Sequence, residues 1–194
     1  MSLRHVGILL FDQVEVLDFA GPFEVFAVTG ELAGGEHFST PLAAREDRVH
    51  VAVNGLRVLP NETFADGRRY DVLVVPGGAG TRALLQDAEV MAWLQAQARQ
   101  AEVVMSVCSG ARLLAAAGLL RGLRATTHHE VFDDVAALDP SIRLQPGARF
   151  VDEGAVLTCA GISAGIDGSL HLVRRYAGAQ VAARTARYME YREA

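Results

Sequence analysis

The sequence predicts a three-layer α/β/α sandwich with a mostly parallel central sheet, and two patterns carry that prediction. Short, almost purely apolar runs stand at Val6 to Phe11, Val72 to Val75, Val103 to Val107 and Ala155 to Ala160. Runs without polar alternation mark strands buried on both faces, as in a parallel sheet covered by helices. Stretches with helical spacing lie between them. Strands alternating with helices of this length imply right-handed crossovers and helices on both sheet faces. With 194 residues, 51% hydrophobic and 21% charged, the chain can bury such a sheet in one domain spanning 1–194.

The helices can be placed in order. One is expected from about Ala20 to Thr29. A second starts at Asp87, an N-cap residue type, and sets Val90, Trp93, Leu94 and Ala98 on one face. A third follows Cys108 through Leu113 and Leu114 and stops at Gly118, a C′ glycine. A fourth covers Glu130 to Leu138 and ends before Pro140, and a fifth covers Ala164 to Tyr176. The segment from Phe38 to Leu59 alternates instead and contains Asn54-Gly55, which predicts a hairpin or an edge excursion.

Charge and composition exclude several functions. The net charge is −5 with no block of lysines or arginines, which argues against nucleic acid or an anionic membrane as partner. Arg174, Arg175, Arg184 and Arg187 are scattered along helical stretches and read as a solvated face. No apolar run approaches the ~18 residues needed to cross a bilayer. Met1 to Phe11 leads into a strand rather than a signal peptide. The two cysteines lie far apart and give neither a disulfide framework nor metal-ligand spacing. A cytoplasmic protein with no cofactor and no metal is therefore expected.

Chemistry concentrates at Met105-Ser-Val-Cys108-Ser-Gly110, which passes from a buried strand directly into an alanine- and leucine-rich helix. A cysteine there occupies a sharp turn at the carboxyl edge of the sheet, where ligand sites of α/β proteins lie. It also faces a helix N-terminus, which is expected to favour the thiolate and lower its pKa. Most free cysteines are small buried hydrophobes, and Cys159, inside an apolar strand, reads that way. The glycine-rich turn of Val74-Val-Pro-Gly77-Gly78-Ala-Gly80 ends another strand. Its N–H groups are expected to supply an oxyanion donor beside that of Ser109. It is no phosphate loop, because no Gly-Lys-Ser/Thr follows.

Three further groups are open to more than one reading. Asp18 reads as an N-cap just after the first strand, and Glu24 as an exposed first-turn carboxylate. His128 and His129 are sequence neighbours; on a strand they would point to opposite faces, so at most one would enter a given site.

Together these segments resemble the ThiJ/PfpI superfamily, with its class I glutamine amidotransferase-like fold. The matching pieces are the opening Val-Gly-Ile-Leu-Leu-Phe-Asp strand, Leu17-Asp18-Phe-Ala-Gly-Pro-Phe-Glu-Val-Phe26 and Val74-Val-Pro-Gly-Gly78. Ser106-Val-Cys-Ser-Gly-Ala111, Leu113-Leu-Ala-Ala-Ala-Gly-Leu-Leu120, Arg124-Ala-Thr-Thr-His128 and Ala160-Gly-Ile-Ser-Ala-Gly-Ile-Asp167 follow in order. Within the superfamily the pattern is most similar to isonitrile hydratases and to the amino-terminal domains of AraC-type regulators.

The resemblance implies that Cys108 is the elbow nucleophile, that Asp18 is the acid facing it and that Ser109 assists them. It raises His128 as a site residue; His129 stands where an aromatic residue is common, so lining the pocket and having no role both stay open. It also implies a homodimer. PfpI-type peptidases place histidine directly after the cysteine, so Ser109 weakens a protease reading. Hydratases usually have threonine there, and serine keeps the hydroxyl while losing the methyl. The regulators contact DNA through a further helix-turn-helix domain; none follows within the 194 residues, and no direct nucleic-acid binding is expected.

The activity implied is addition of water to an isonitrile, a small electrophile, giving an N-substituted formamide. The alternatives are a glyoxalase-like reaction of aldehydes such as methylglyoxal, with His128 or Asp18 moving protons, and a non-enzymatic sensor or binding protein in which the Cys108 thiol is oxidised.

Overall fold

The computed structural model describes residues 3–35 and 37–192. Met1, Ser2, Glu36, Glu193 and Ala194, including both ends of the expected 1–194 span, lie outside the described residues. Strand β1 (Arg4–Leu9) buries Val6, Ile8 and Leu9 completely or nearly so, as an apolar run covered on both faces must. Helix α1 (Val16–Leu32) follows, with Glu15 as its N-cap.

This helix begins earlier than the expected Ala20, so Asp18 lies inside the first turn rather than capping it, and Glu24 is exposed but mid-helix. Pro22 within the helix removes one N–H and costs helical stability. Tertiary packing offsets that cost: a side chain at Gly21 would meet Ile166 at 3.1 Å, and one at Gly165 would meet the Pro22 ring at 3.5 Å. Gly21 and Gly165 thus let α1 lie close against the later helix that carries Gly165 and Ile166.

The segment after α1 contains both expected features. Short strands β2 (Phe38–Ser39) and β3 (Leu42–Ala44) pair in parallel with β1, and β4 (His50–Val51) forms an antiparallel hairpin with β5 (Arg57–Val58). The chain reverses there through Asn54 and Gly55, both at positive φ. Strand β6 (Glu62–Thr63) extends the edge, and β7 (Val72–Val75) returns to the centre.

A short helix α2 (Thr81–Leu84) precedes α3 (Ala88–Ala98), which Asp87 caps by accepting from the N–H groups of Glu89 and Val90 at 3.1 Å each. Val90 and Leu94 are buried, and Trp93 stacks on Phe64 with ring centroids 4.0 Å apart. Strand β8 (Val103–Val107) runs through a 3-10 turn at Cys108–Gly110 into α4 (Ala111–Ala116), and Gly118 follows at φ 77. The remaining elements are β9 (Arg124–Ala125), α5 (Phe132–Leu138), β10 (Arg143–Leu144), β11 (Phe150–Asp152), β12 (Val156–Cys159), α6 (Ala164–Ala177) and α7 (Ala179–Tyr188).

The main sheet has the order β11-β12-β8-β7-β1-β3-β6, with β2 beside β1. Every pairing in it is parallel except β11 with β12. Helices α1, α6 and α7 pack on one another, while α4 packs with α2 and α5, so helices flank the sheet as expected. Val74 lies opposite Ile8 on one side and Met105 on the other, so β1, β7 and β8 end side by side. Chain order reverses between β1 and β7, and crevices form at such switch points. Asp18, Gly77 and Cys108 all follow these strand ends. No helix among the described residues is long and apolar enough to cross a membrane.

Candidate active site at Cys108

Cys108 sits at φ 55, a left-handed conformation that a residue with a Cβ adopts at a cost of roughly 1–2 kcal/mol. The surroundings hold it there. Its N–H donates to the Ala160 carbonyl at 3.0 Å, and its own carbonyl accepts from the Thr127 hydroxyl at 2.8 Å. The strain projects the thiol out of the elbow toward Asp18 while leaving the residue only 8% exposed.

Asp18 is fully buried, and its Oδ2 accepts from the Gly77 N–H at 2.9 Å. Its Oδ1 has no partner of normal hydrogen-bond geometry, although the Cys108 thiol interacts with the same carboxyl. Gly77 has no alternative at this position: a Cβ would lie 2.5 Å from Ser109 N, 2.6 Å from Ser109 Oγ and 2.8 Å from Asp18 Oδ2. The next N–H, of Gly78, donates to Ser109 Oγ at 2.9 Å. The N–H groups of Gly77 and Gly78 are thus committed inside the protein. The turn bounds the cleft and orients Asp18 and Ser109, so these two N–H groups are occupied rather than free to serve as the oxyanion donors expected of them. The N–H groups that face the Cys108 sulfur belong to Ser109 and Ile162.

Electrostatics correct a second expectation. Burial pushes the Cys108 thiol up to about 12, the Asp18 charge adds to the rise, and the N–H groups of Ser109 and Ile162 oppose it without prevailing. The helix that follows has only six residues, too short for its dipole to dominate. Burial likewise pushes Asp18 up to about 7, helped by the Glu15 charge and opposed by the Gly77 N–H and the thiol. Between those values the pair holds one proton over two acidic sites, because two adjacent anions resist coexistence.

The cleft above the pair has a volume of about 420 Å³, and Glu15, Arg82, Arg112 and His128 line it together with Cys108 and Ser109. His128 therefore reaches the same opening as the thiol. Its Nδ1 accepts from the Glu130 N–H at 3.3 Å, which leaves the other ring nitrogen to carry the proton when the ring is neutral. The two histidines are not on a strand, and their rings lie 4.2 Å apart rather than on opposite faces. His129 has 80% of its side chain exposed and is not among the groups around Cys108. Cys159 is fully buried, as expected of a core thiol. Among the described residues no three His, Cys, Asp or Glu side chains converge as metal ligands.

Residues 4–175 match the DJ-1/PfpI family. The chain belongs to the DJ-1/PfpI family. It is 38% identical to isonitrile hydratase of Pseudomonas putida over 98% of this chain and 79% of the relative. It is 28% identical to the HTH-type transcriptional regulator GbdR of Pseudomonas aeruginosa over 93% of this chain but only 48% of the regulator. Among solved structures, a ThiJ/PfpI family protein from Pseudomonas syringae superposes with a TM-score of 0.88 at 30% identity, covering 98% of this chain and 76% of that one.

Three groups at the site have no role that the sequence announces. Ile162 reaches the sulfur from the loop after β12, where its own φ is 47, and nothing local in Gly161-Ile162-Ser163 announces that approach. Glu15 enters because α1 starts earlier than expected. Arg112, four residues after Cys108, is indistinguishable in sequence from any other polar residue of a helix.

Proposed function

We propose that this DJ-1/PfpI protein hydrates a small isonitrile to an N-substituted formamide at Cys108. The observation that carries the reading is the buried Cys108–Asp18 pair, whose coupled pKa values leave a single proton to share near neutral pH. The 38% identity to an isonitrile hydratase across nearly the whole chain supports the substrate class.

An isonitrile carbon accepts a nucleophile only as it accepts a proton. In the proton distribution that places the charge on sulfur, the thiolate forms the S–C bond while Asp18 delivers the shared proton to the same carbon, giving a thioimidate on Cys108. Asp18, now a carboxylate, takes a proton from water; hydroxide adds to the carbon and the proton passes to nitrogen. The adduct then collapses with cleavage of the C–S bond. Its hydroxyl proton returns to Asp18, the thiolate is restored, and the formamide leaves. Overall one water is added to one isonitrile, and no electrons are transferred. Ser109 holds the glycine turn, and the N–H groups of Ser109 and Ile162 steady charge on sulfur at each end of the cycle. The cycle needs no contribution from His128.

Formamide production from cyclohexyl isocyanide, followed by NMR, tests this. Wild type is expected to turn over, Cys108→Ala to be inactive, and Asp18→Asn to lose about 100-fold or more, as expected for removal of a general acid–base. Undiminished activity in Cys108→Ala would eliminate the mechanism. Production of lactate from methylglyoxal that disappears in His128→Ala, without formamide formation, would replace it with the aldehyde reaction.

A further inference from the structure

Arg112 lies in the wall of the Cys108 cleft with its side chain only 5% exposed, an unusual place for a guanidinium. Its Nε and Nη2 donate to Asp134 Oδ2 of α5 at 2.8 and 2.5 Å. That ion pair fixes the plane of the guanidinium but leaves Nη1 turned elsewhere. Nη1 donates to the Thr81 hydroxyl at 3.2 Å, and the Thr81 hydroxyl donates to the Gly78 carbonyl at 2.8 Å. Ser109 Oγ meets the same residue, accepting from the Gly78 N–H at 2.9 Å and donating to the Gly78 carbonyl at 3.3 Å. One residue earlier in the turn, the Gly77 N–H holds Asp18. A continuous hydrogen-bonded route thus runs from Asp134 through Arg112 and Thr81 to the turn that orients the acid.

We propose that Arg112 is a positioning residue: acting through Thr81, it locks the glycine turn so that the Gly77 N–H stays on the Asp18 carboxyl. The proposal rests on the Cys108–Asp18 pair of the preceding reading and not on its substrate. The consequence is electrostatic. The Gly77 N–H is the largest influence holding the Asp18 pKa down against burial, so a slack turn lets that pKa climb. Glu15 of the same helix, Cys108 of the elbow and Cys159 of β12 also face Asp18, and none of them changes when Arg112 is replaced. A guanidinium already spent on Asp134 and Thr81 explains a buried arginine here without requiring it to touch substrate.

The test is the pH dependence of Cys108 alkylation by iodoacetamide, which needs no turnover. In wild type the rate rises as the pair loses its first proton, with an inflection at about 7. Arg112→Met and Thr81→Val are each expected to move that inflection up by about one pH unit. Thr81→Ser, which keeps the hydroxyl, is expected to restore it. Thr81→Val is close to isosteric and keeps the test decisive should Arg112→Met fold poorly. An inflection that stays at the wild-type position in Thr81→Val, whatever the melting temperatures, reduces Arg112 to a tie between helices and overturns the proposal. If wild type and Asp18→Asn share one profile through neutral pH, the pair itself is wrong, and both this proposal and the mechanism above it fall.

Discussion

Replacing Asp18 by Asn should stabilise the protein at alkaline pH and do little at acid pH. Asp18 is fully buried, and burial raises its pKa from 3.8 to about 7. The folded state therefore binds this proton more tightly than the unfolded state. Stability from this group is intact below about 4 and is lost as pH rises through about 7. A rise of about three pH units corresponds to ~4 kcal/mol at 1.36 kcal/mol per unit. Roughly 3 kcal/mol of that develops between about pH 5 and about pH 8.5. Asparagine keeps an oxygen for the Gly77 N–H and cannot ionise, so it escapes the loss. Urea denaturation of wild type and Asp18→Asn at both pH values measures it directly. The difference in unfolding free energy should shift in favour of the variant by about 3 kcal/mol between the two pH values. A difference that is the same at both would mean that Asp18 ionises at its ordinary pKa, and the shared-proton account of the site would be lost.

Other expectations follow from the same geometry. Gly77→Ala places a methyl within 2.5 Å of Ser109 N and should destabilise by about 1–3 kcal/mol, read as a lower melting temperature together with lost activity. Phe26→Ala removes a fully buried ring that packs 5.1 Å from Phe38 and should cost about 3–5 kcal/mol in chemical denaturation. Limited alkylation of the native protein followed by peptide mapping should modify Cys108 and spare Cys159, which is fully buried in β12. Equal modification of both thiols would contradict the burial described for them.

The strands were legible because burial on both faces leaves no room for polar residues, and Val72–Val75 and Val103–Val107 end where their apolar runs end. Helix limits were harder to read wherever tertiary contacts overrule local preference. Pro22 favours a helix that starts just before it, whereas α1 begins at Val16 and carries the proline inside, packed beside Gly165. Helix α7 was legible only as a helical stretch around Arg184 and Arg187, without limits, because its buried face is made of Ala182, Thr185 and Ala186, which give little apolar signal. At the site, the elbow was legible from strand, cysteine and small residues in succession. The direction of the Cys108 shift was not, because a helix terminus is visible in sequence while burial and an approaching carboxyl are not. Ile162 and Arg112 belong to the same class: they act through distances set by other parts of the chain.

The central claim is a covalent intermediate on Cys108 with Asp18 as its proton partner. The most direct measurement is the intact mass of wild-type protein acid-quenched during turnover of cyclohexyl isocyanide, with the modified peptide then located. A single adduct equal to one isocyanide is expected on the peptide carrying Cys108, decaying as formamide accumulates and absent from Cys108→Ala. Formamide accumulating with no adduct in wild type, and continuing to form in Cys108→Ala, would contradict it.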